Sequence, residues 1–200
     1  MQNIWAKNIS TVIIAIAFIA FVYGTYKAIR IVDKTQIGTS EGTYTSYVTT
    51  SEEIQDKAHA LIQNCKDKLC KVQSVLDFTS NIPYSTKTFQ KKSPQKTIQE
   101  NFGDCDDKSN LLISMLHALE IEAYFVLVPK HIFVIVPLED VKLKHKKGLW
   151  VNAKKYYILE STAKDSAVGF PLQYDFDEID VIIEPFYNKK IEIKSLEYKL

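Results

Sequence analysis

The stretch Asn101-Phe-Gly-Asp-Cys-Asp-Asp-Lys-Ser-Asn110 sets where one helix of this chain must begin. Leu111, Leu112, Met115, Leu116 and Leu119 follow it at helical spacing. Asp104 is a natural N-cap, and Asp107, three residues on, gives a box-like arrangement. Gly103 permits a tight backbone approach just before the turn. Cys105 then falls on the first helical position, where free backbone N–H groups and the helix dipole favour a thiolate. The flanking Asp104, Asp106 and Asp107 oppose it. Cys105 is therefore a candidate nucleophile, and a buried cysteine beside a helix start is the alternative.

Downstream residues supply partners for a thiol. Ile121 to Val128 and His131 to Val136 are two β-rich runs separated by Pro129-Lys130, which predicts a hairpin with His131 opening its second strand. Lys155 to Glu160 is a third run, and it ends on a carboxylate before Ser161-Thr162. A cysteine nucleophile needs a base, and the base needs an orienting acceptor. The order here is Cys at a helix start, His at a strand start and acid at a strand end. His117 lies twelve residues past Cys105 on the same helix, about 18 Å along its axis, so it cannot serve the thiol. His145 sits in a lysine-rich loop and His59 off the apolar stripe of its helix, so both are expected at the surface.

These pieces resemble the transglutaminase-like domains of papain-like fold. The matching segments are Asn81-Ile-Pro-Tyr84, Ser93-Pro-Gln-Lys-Thr97, Gly103-Asp-Cys-Asp-Asp-Lys-Ser109, His131-Ile-Phe-Val134 and Leu159-Glu-Ser-Thr162. Together they span roughly Glu53 to Gly169. The resemblance implies an α+β core in which the nucleophile helix packs on an antiparallel sheet. It implies Cys105, His131 and Glu160 as the catalytic triad of a thiol hydrolase or acyltransferase acting on amide bonds of a protein or peptide. The third member is commonly Asp in the family. Glu160 is one methylene longer but can still accept the imidazole N–H, and Asp165 in the next loop is the fallback. A segment like Asn81–Tyr84 lies beside the nucleophile in the family. Tyr84 is thus a candidate for lining the cleft or assisting oxyanion binding, with a core aromatic as the alternative. No cofactor or metal is implied.

The N-terminal end has a different character. Ile9 to Tyr26 carries no charge, is dominated by Val, Ile, Ala and Phe, and is about long enough to span a bilayer. Trp5, Tyr23 and Tyr26 near its ends resemble interfacial aromatics. No small-x-small cleavage site follows the run, so an uncleaved anchor is expected over residues 1–29 rather than a signal peptide. Residues 30–50 are expected to be a polar linker, 51–187 the catalytic-type domain, and 188–200 a last strand or tail.

The helical stripe Ile54, Ala58, Leu61, Cys65, Leu69, Val72 and Leu76 contains two cysteines five apart. That spacing suits one continuous helix poorly. A break at Asn64 to Asp67 would allow a Cys65–Cys70 disulfide across the turn, and two half-buried thiols are the alternative. The pair bears on compartment. Lys27, Arg30 and Lys34 outnumber Lys7 plus the terminal amine, which favours a cytoplasmic domain by a narrow margin. A paired Cys65–Cys70 with Cys105 left single favours an extracytoplasmic one, and that is the expectation retained.

Net charge is +1 at pH 7, which gives no footprint for nucleic acid. The lysines of Lys142 to Lys147 are expected on a solvated turn, and Lys87 to Thr97 in a polar loop at the cleft rim. Strands are expected at Leu149–Asn152 and Tyr156–Glu160 around an Ala153-Lys154 turn, with edge strands at Asp180–Glu184 and Ile191–Ile193. Asp104-Cys-Asp106 imitates an Asp-x-Asp phosphotransferase motif, but no hydrophobic strand precedes it. Calcium binding by the same aspartates lacks alternating oxygen ligands and a closing glutamate. The competing reading from another class is a catalytically silent, membrane-tethered module for protein contacts on the same fold.

Overall fold

A computed structural model describes the backbone of residues 4–39, 42–86 and 91–200, and the side chains of 9–29, 44–86 and 91–200. Helix α1 (Ile4–Thr35) is followed by a hairpin of β1 (Gln36–Thr39) and β2 (Gly42–Thr45). Four helices follow: α2 (Glu52–Leu61), α3 (Lys68–Asn81), α4 (Pro94–Glu100) and α5 (Cys105–Ala118). Strands β3 (Tyr124–Val128), β4 (His131–Val136), β5 (Gly148–Val151), β6 (Lys154–Leu159), β7 (Val181–Glu184), β8 (Lys189–Lys190) and β9 (Leu196–Lys199) complete the chain. They form one antiparallel sheet in the order β8-β7-β3-β4-β6-β5-β9. The class is α+β.

The sheet is apolar on both faces, and each face has its own core. Phe125, Leu127, Ile132, Val134 and Leu159 point to the helices and meet Leu111, Leu112, Met115 and Leu116 of α5. Those four side chains are fully buried, each contributing about 1.5–3 kcal/mol. The alternate residues Val126, Phe133, Ile135 and Ile158 point the other way. There they are covered by Phe170, Leu172, Tyr174 and Tyr198, from the loop after β6 and from β9.

Helix α1 contains Ile9–Ile29, a span long and apolar enough to cross a membrane, with Phe18, Ile19 and Phe21 exposed along it. Trp5, Lys7, Arg30 and Lys34 lie outside the described side chains. Within the stretch expected as a linker, residues 30–50, α1 runs on to Thr35 and strands β1 and β2 pair. Tyr44 and Ser46 are buried against the domain. The segment is poor in aliphatic residues, so its packing uses the Tyr44 ring, Val48 and hydrogen bonds.

The apolar stripe after residue 52 breaks between α2 and α3, and Asp67 caps the second helix by accepting from Cys70 N–H at 2.7 Å. Cys65 and Cys70 are joined by a disulfide across this turn, with Cα atoms 5.3 Å apart. The expected loop to Thr97 is shorter than read. Ser93 caps α4 and Pro94 occupies its first turn, while Lys87–Gln90 lie outside the described residues. The β5–β6 turn falls one residue earlier than expected, at Asn152-Ala153, both with positive φ. Ile191–Ile193 forms no strand. The edge is β8, and the C-terminal end pairs with β5 as β9.

Candidate active site

Cys105 opens α5, and the predicted N-terminal box is formed. Asp104 Oδ1 accepts from Asp107 N–H at 3.0 Å, and Asp107 returns the bond to Asp104 N–H. Gly103 must be a glycine here, because a Cβ would stand 2.8 Å from Asp107 Cβ. Its N–H donates to Pro83 O at 3.1 Å and its carbonyl accepts from Ser85 N–H at 3.0 Å. These bonds dock the Asn81–Tyr84 segment alongside the start of α5. The Tyr84 side chain is about half exposed beside it. Partial burial, then the proximity of Cys105 and the aspartates, raise the Tyr84 hydroxyl above its ordinary range.

His131 and Glu160 come from neighbouring strands. Val134 faces Leu159, and continuing that register sets Glu160 opposite Phe133, on the same sheet face as His131. The imidazole Nε2 lies 2.9 Å from Glu160 Oε2. The other oxygen, Oε1, accepts from Thr162 N–H at 2.9 Å and from the Thr162 hydroxyl. Burial works to raise the Glu160 carboxyl, but the bonds from His131 and Thr162 outweigh it and hold it below its usual range. Asp165 is exposed, in a left-handed turn.

The Cys105 sulfur lies against the first residues of β4. The N–H groups of Asp106 and Ile132 point toward it. They do not prevail: burial, then the charges of Asp106 and Asp104, push the thiol up to about 12. The helix start alone would favour a thiolate, but burial first, and then two carboxylates at the same helix start, reverse the outcome. Cys105 is partly buried and is the free cysteine of the chain. His117 is stacked on Phe186 with ring centroids 3.7 Å apart, and His59 and His145 are exposed.

Residues 55–152 match the family described as the transglutaminase-like superfamily. The domain is transglutaminase-like. This match covers about half of the chain and ends before β6, Glu160 and the covering loop. No curated protein matches the chain. Solved structures that resemble it include a candidate cysteine protease from Cytophaga hutchinsonii, at 20% identity and a TM-score of 0.45. That match covers 59% of this chain and 39% of the other. A candidate protease from Parabacteroides distasonis ATCC 8503 matches at 14% identity and 0.45, covering 70% of this chain and 27% of the other. Legionella pneumophila LapG matches at 18% and 0.41, covering 62% and 78%. The chain thus spans well under two thirds of the first two.

Two residues at the candidate site carry no signal in the sequence. Tyr174 arrives from the loop after β6 and stacks on the His131 ring, with centroids 5.9 Å apart and planes 20° apart. It also stacks on Phe133 at 6.0 Å and lines a small cavity with Glu160. Lys108, on the first turn of α5, is fully buried. Its ammonium donates to Ile82 O at 2.7 Å and Ser80 O at 3.1 Å, capping the C-terminal end of α3.

Proposed function

We propose that this protein is a membrane-anchored thiol enzyme cleaving or transferring at amide bonds of a peptide or protein. Cys105 is the nucleophile, His131 the base and Glu160 the group that orients the base. The observation that carries this reading is the 2.9 Å contact of His131 Nε2 with a buried carboxylate, next to a strand residue whose N–H points at the Cys105 sulfur. With Nε2 held by Glu160, Nδ1 is the nitrogen that serves the thiol.

The neutral thiol fits general-base rather than ion-pair chemistry. The sulfur attacks the carbonyl carbon as its proton passes to His131, and the backbone N–H of Cys105 helps hold the oxyanion. His131 returns the proton to the leaving amine as the C–N bond breaks, leaving a thioester on Cys105. Water, deprotonated by His131, then releases the carboxylic acid and restores the thiol. An amine in place of water gives acyl transfer. Hydrolysis is the outcome proposed, because water is always present. Tyr84, half exposed beside the sulfur, is positioned to line the cleft.

The Ile9–Ile29 span is the proposed anchor, and the Cys65–Cys70 disulfide supports an extracytoplasmic domain. The test is intact mass after incubation with an electrophilic peptide amide. A covalent adduct on Cys105, lost in Cys105→Ala and His131→Ala, supports the enzyme. The high thiol favours the second reading, a silent binding module, and absence of any adduct at saturating probe would establish it in place of the first.

A further inference from the structure

The strap between the apolar helix and α2 lies outside the region that matches the family. It is fastened to the helix that carries Cys105. The buried Tyr44 hydroxyl accepts from Asn110 Nδ2 at 2.9 Å. Asn110 Oδ1 accepts from Tyr47 N–H at 2.8 Å, and Ser114 Oγ from Thr49 N–H at 3.0 Å. Phe125 meets the Tyr44 ring edge to face at 5.5 Å.

The Tyr44 ring carries a cation. Lys91 Nζ lies 4.9 Å from the ring centroid and is ion-paired with Asp106. Asp106 Oδ1 is in turn 3.8 Å from the Cys105 sulfur, which donates to it. The backbone beside Lys91 is fixed as well. Lys92 N–H donates to Asp107 Oδ1 at 2.8 Å, and the buried Lys92 ammonium bonds Glu100 and Phe102 O, each at 2.9 Å.

We propose that Tyr44 and Lys91 are positioning residues for Cys105: the Tyr44 ring holds the Lys91 ammonium on Asp106, and the ammonium balances the carboxylate charge beside the sulfur. A carboxylate this close disfavours a developing thiolate, and a cation bound to it removes much of that opposition. The Lys91 side chain is one-third exposed, so solvent screens part of the effect. The other groups whose charge bears on the sulfur are Asp104 at the N-cap of α5, Tyr84 after α3 and Tyr174 after β6, while the His131–Glu160 pair stands on β4 and at the end of β6. The proposal rests on the reading of Cys105 as a nucleophile.

The test is the rate of Cys105 alkylation by iodoacetamide, followed by intact mass across pH in the full chain in detergent. The disulfide keeps the other two cysteines silent. Lys91→Gln should slow alkylation about three- to tenfold at neutral pH and move the profile to higher pH, while Lys91→Arg should restore it. Tyr44→Leu should act in the same direction, and Tyr44→Phe, which keeps the ring, should act less. A Lys91→Gln profile that overlays the wild type, with the thermal midpoint unchanged, overturns the proposal. So does a Tyr44→Leu variant that loses stability without moving the profile. A wild type that alkylates as expected but forms no acyl adduct with peptide amides overturns only the enzymatic reading.

Discussion

Glu160 Oε2 lies 2.9 Å from His131 Nε2, while Thr162 occupies the second carboxylate oxygen with two bonds. Such a carboxylate fixes both ring orientation and tautomer. Glu160→Gln keeps an oxygen that can accept the imidazole N–H but loses the charge that steadies an imidazolium. Turnover of a peptide amide should fall about ten- to a hundredfold, less than in His131→Ala. Asp165→Asn should leave turnover unchanged, since Asp165 is exposed and absent from the pair. A severe Asp165→Asn beside a neutral Glu160→Gln would transfer the role to Asp165.

The Cys105 thiol makes a prediction with a definite sign. It is pushed up to about 12 by burial, then by Asp106 and Asp104. Iodoacetamide alkylation of the native chain should therefore keep rising with pH beyond about 9, where a free thiol would level off. In denaturant the plateau should return to the ordinary range. A native profile already flat at neutral pH would show a resting thiolate–imidazolium pair instead.

The site was legible where its geometry is local. Asp104, Cys105 and Asp107 declare a helix start, His131 and Glu160 sit at strand ends, and Cys65 and Cys70 straddle a turn. The rest depends on distant segments coming together. Tyr174 sits in a run without periodicity and gains its role only when that loop folds back over β4. Tyr44 sits in a stretch whose composition suggests a linker, and its partner Asn110 and the Thr49 partner Ser114 look like polar interruptions of an apolar helix. Lys108 reads as a surface charge until the carbonyls of α3 are placed above it.

Tyr174 covers the His131 ring and packs on Phe133. The ring shields the imidazole–carboxylate contact from water, which strengthens it. Tyr174→Phe should keep turnover, since the stacking surface survives. Tyr174→Ala should lower kcat about tenfold and broaden its pH dependence, with KM less affected. Equal loss in Tyr174→Phe would assign the effect to the hydroxyl.

Burial lowers the Lys108 ammonium to about 8, with Glu160 acting in the opposite direction. The unfolded chain holds this proton up to the ordinary lysine range. Between those limits the unfolded state binds more protons, so the contribution of Lys108 to stability rises with pH. Each unit of separation is worth about 1.4 kcal/mol. The stability of wild type minus that of Lys108→Met, from denaturant midpoints, should increase from pH 8 to pH 10. A flat difference would mean that the ammonium is not held as buried as its bonds to Ser80 and Ile82 imply.

The Cys65–Cys70 disulfide closes a short loop, with a sequence separation of 5. Chain entropy alone gives such a loop ~2 kcal/mol, so selective reduction should lower the thermal midpoint by about 4–8 °C and leave the fold intact. The same bond bears on the proposed compartment. An extracytoplasmic domain should leave Cys65 and Cys70 inert to an impermeant thiol reagent on intact cells until the cells are treated with a reductant, and reactive afterwards. The Lys27, Arg30 and Lys34 excess argues the other way by a narrow margin. Cysteines that stay unlabelled on intact reduced cells, and react without reductant only after lysis, would place the domain in the cytoplasm and show the pair to be reduced there.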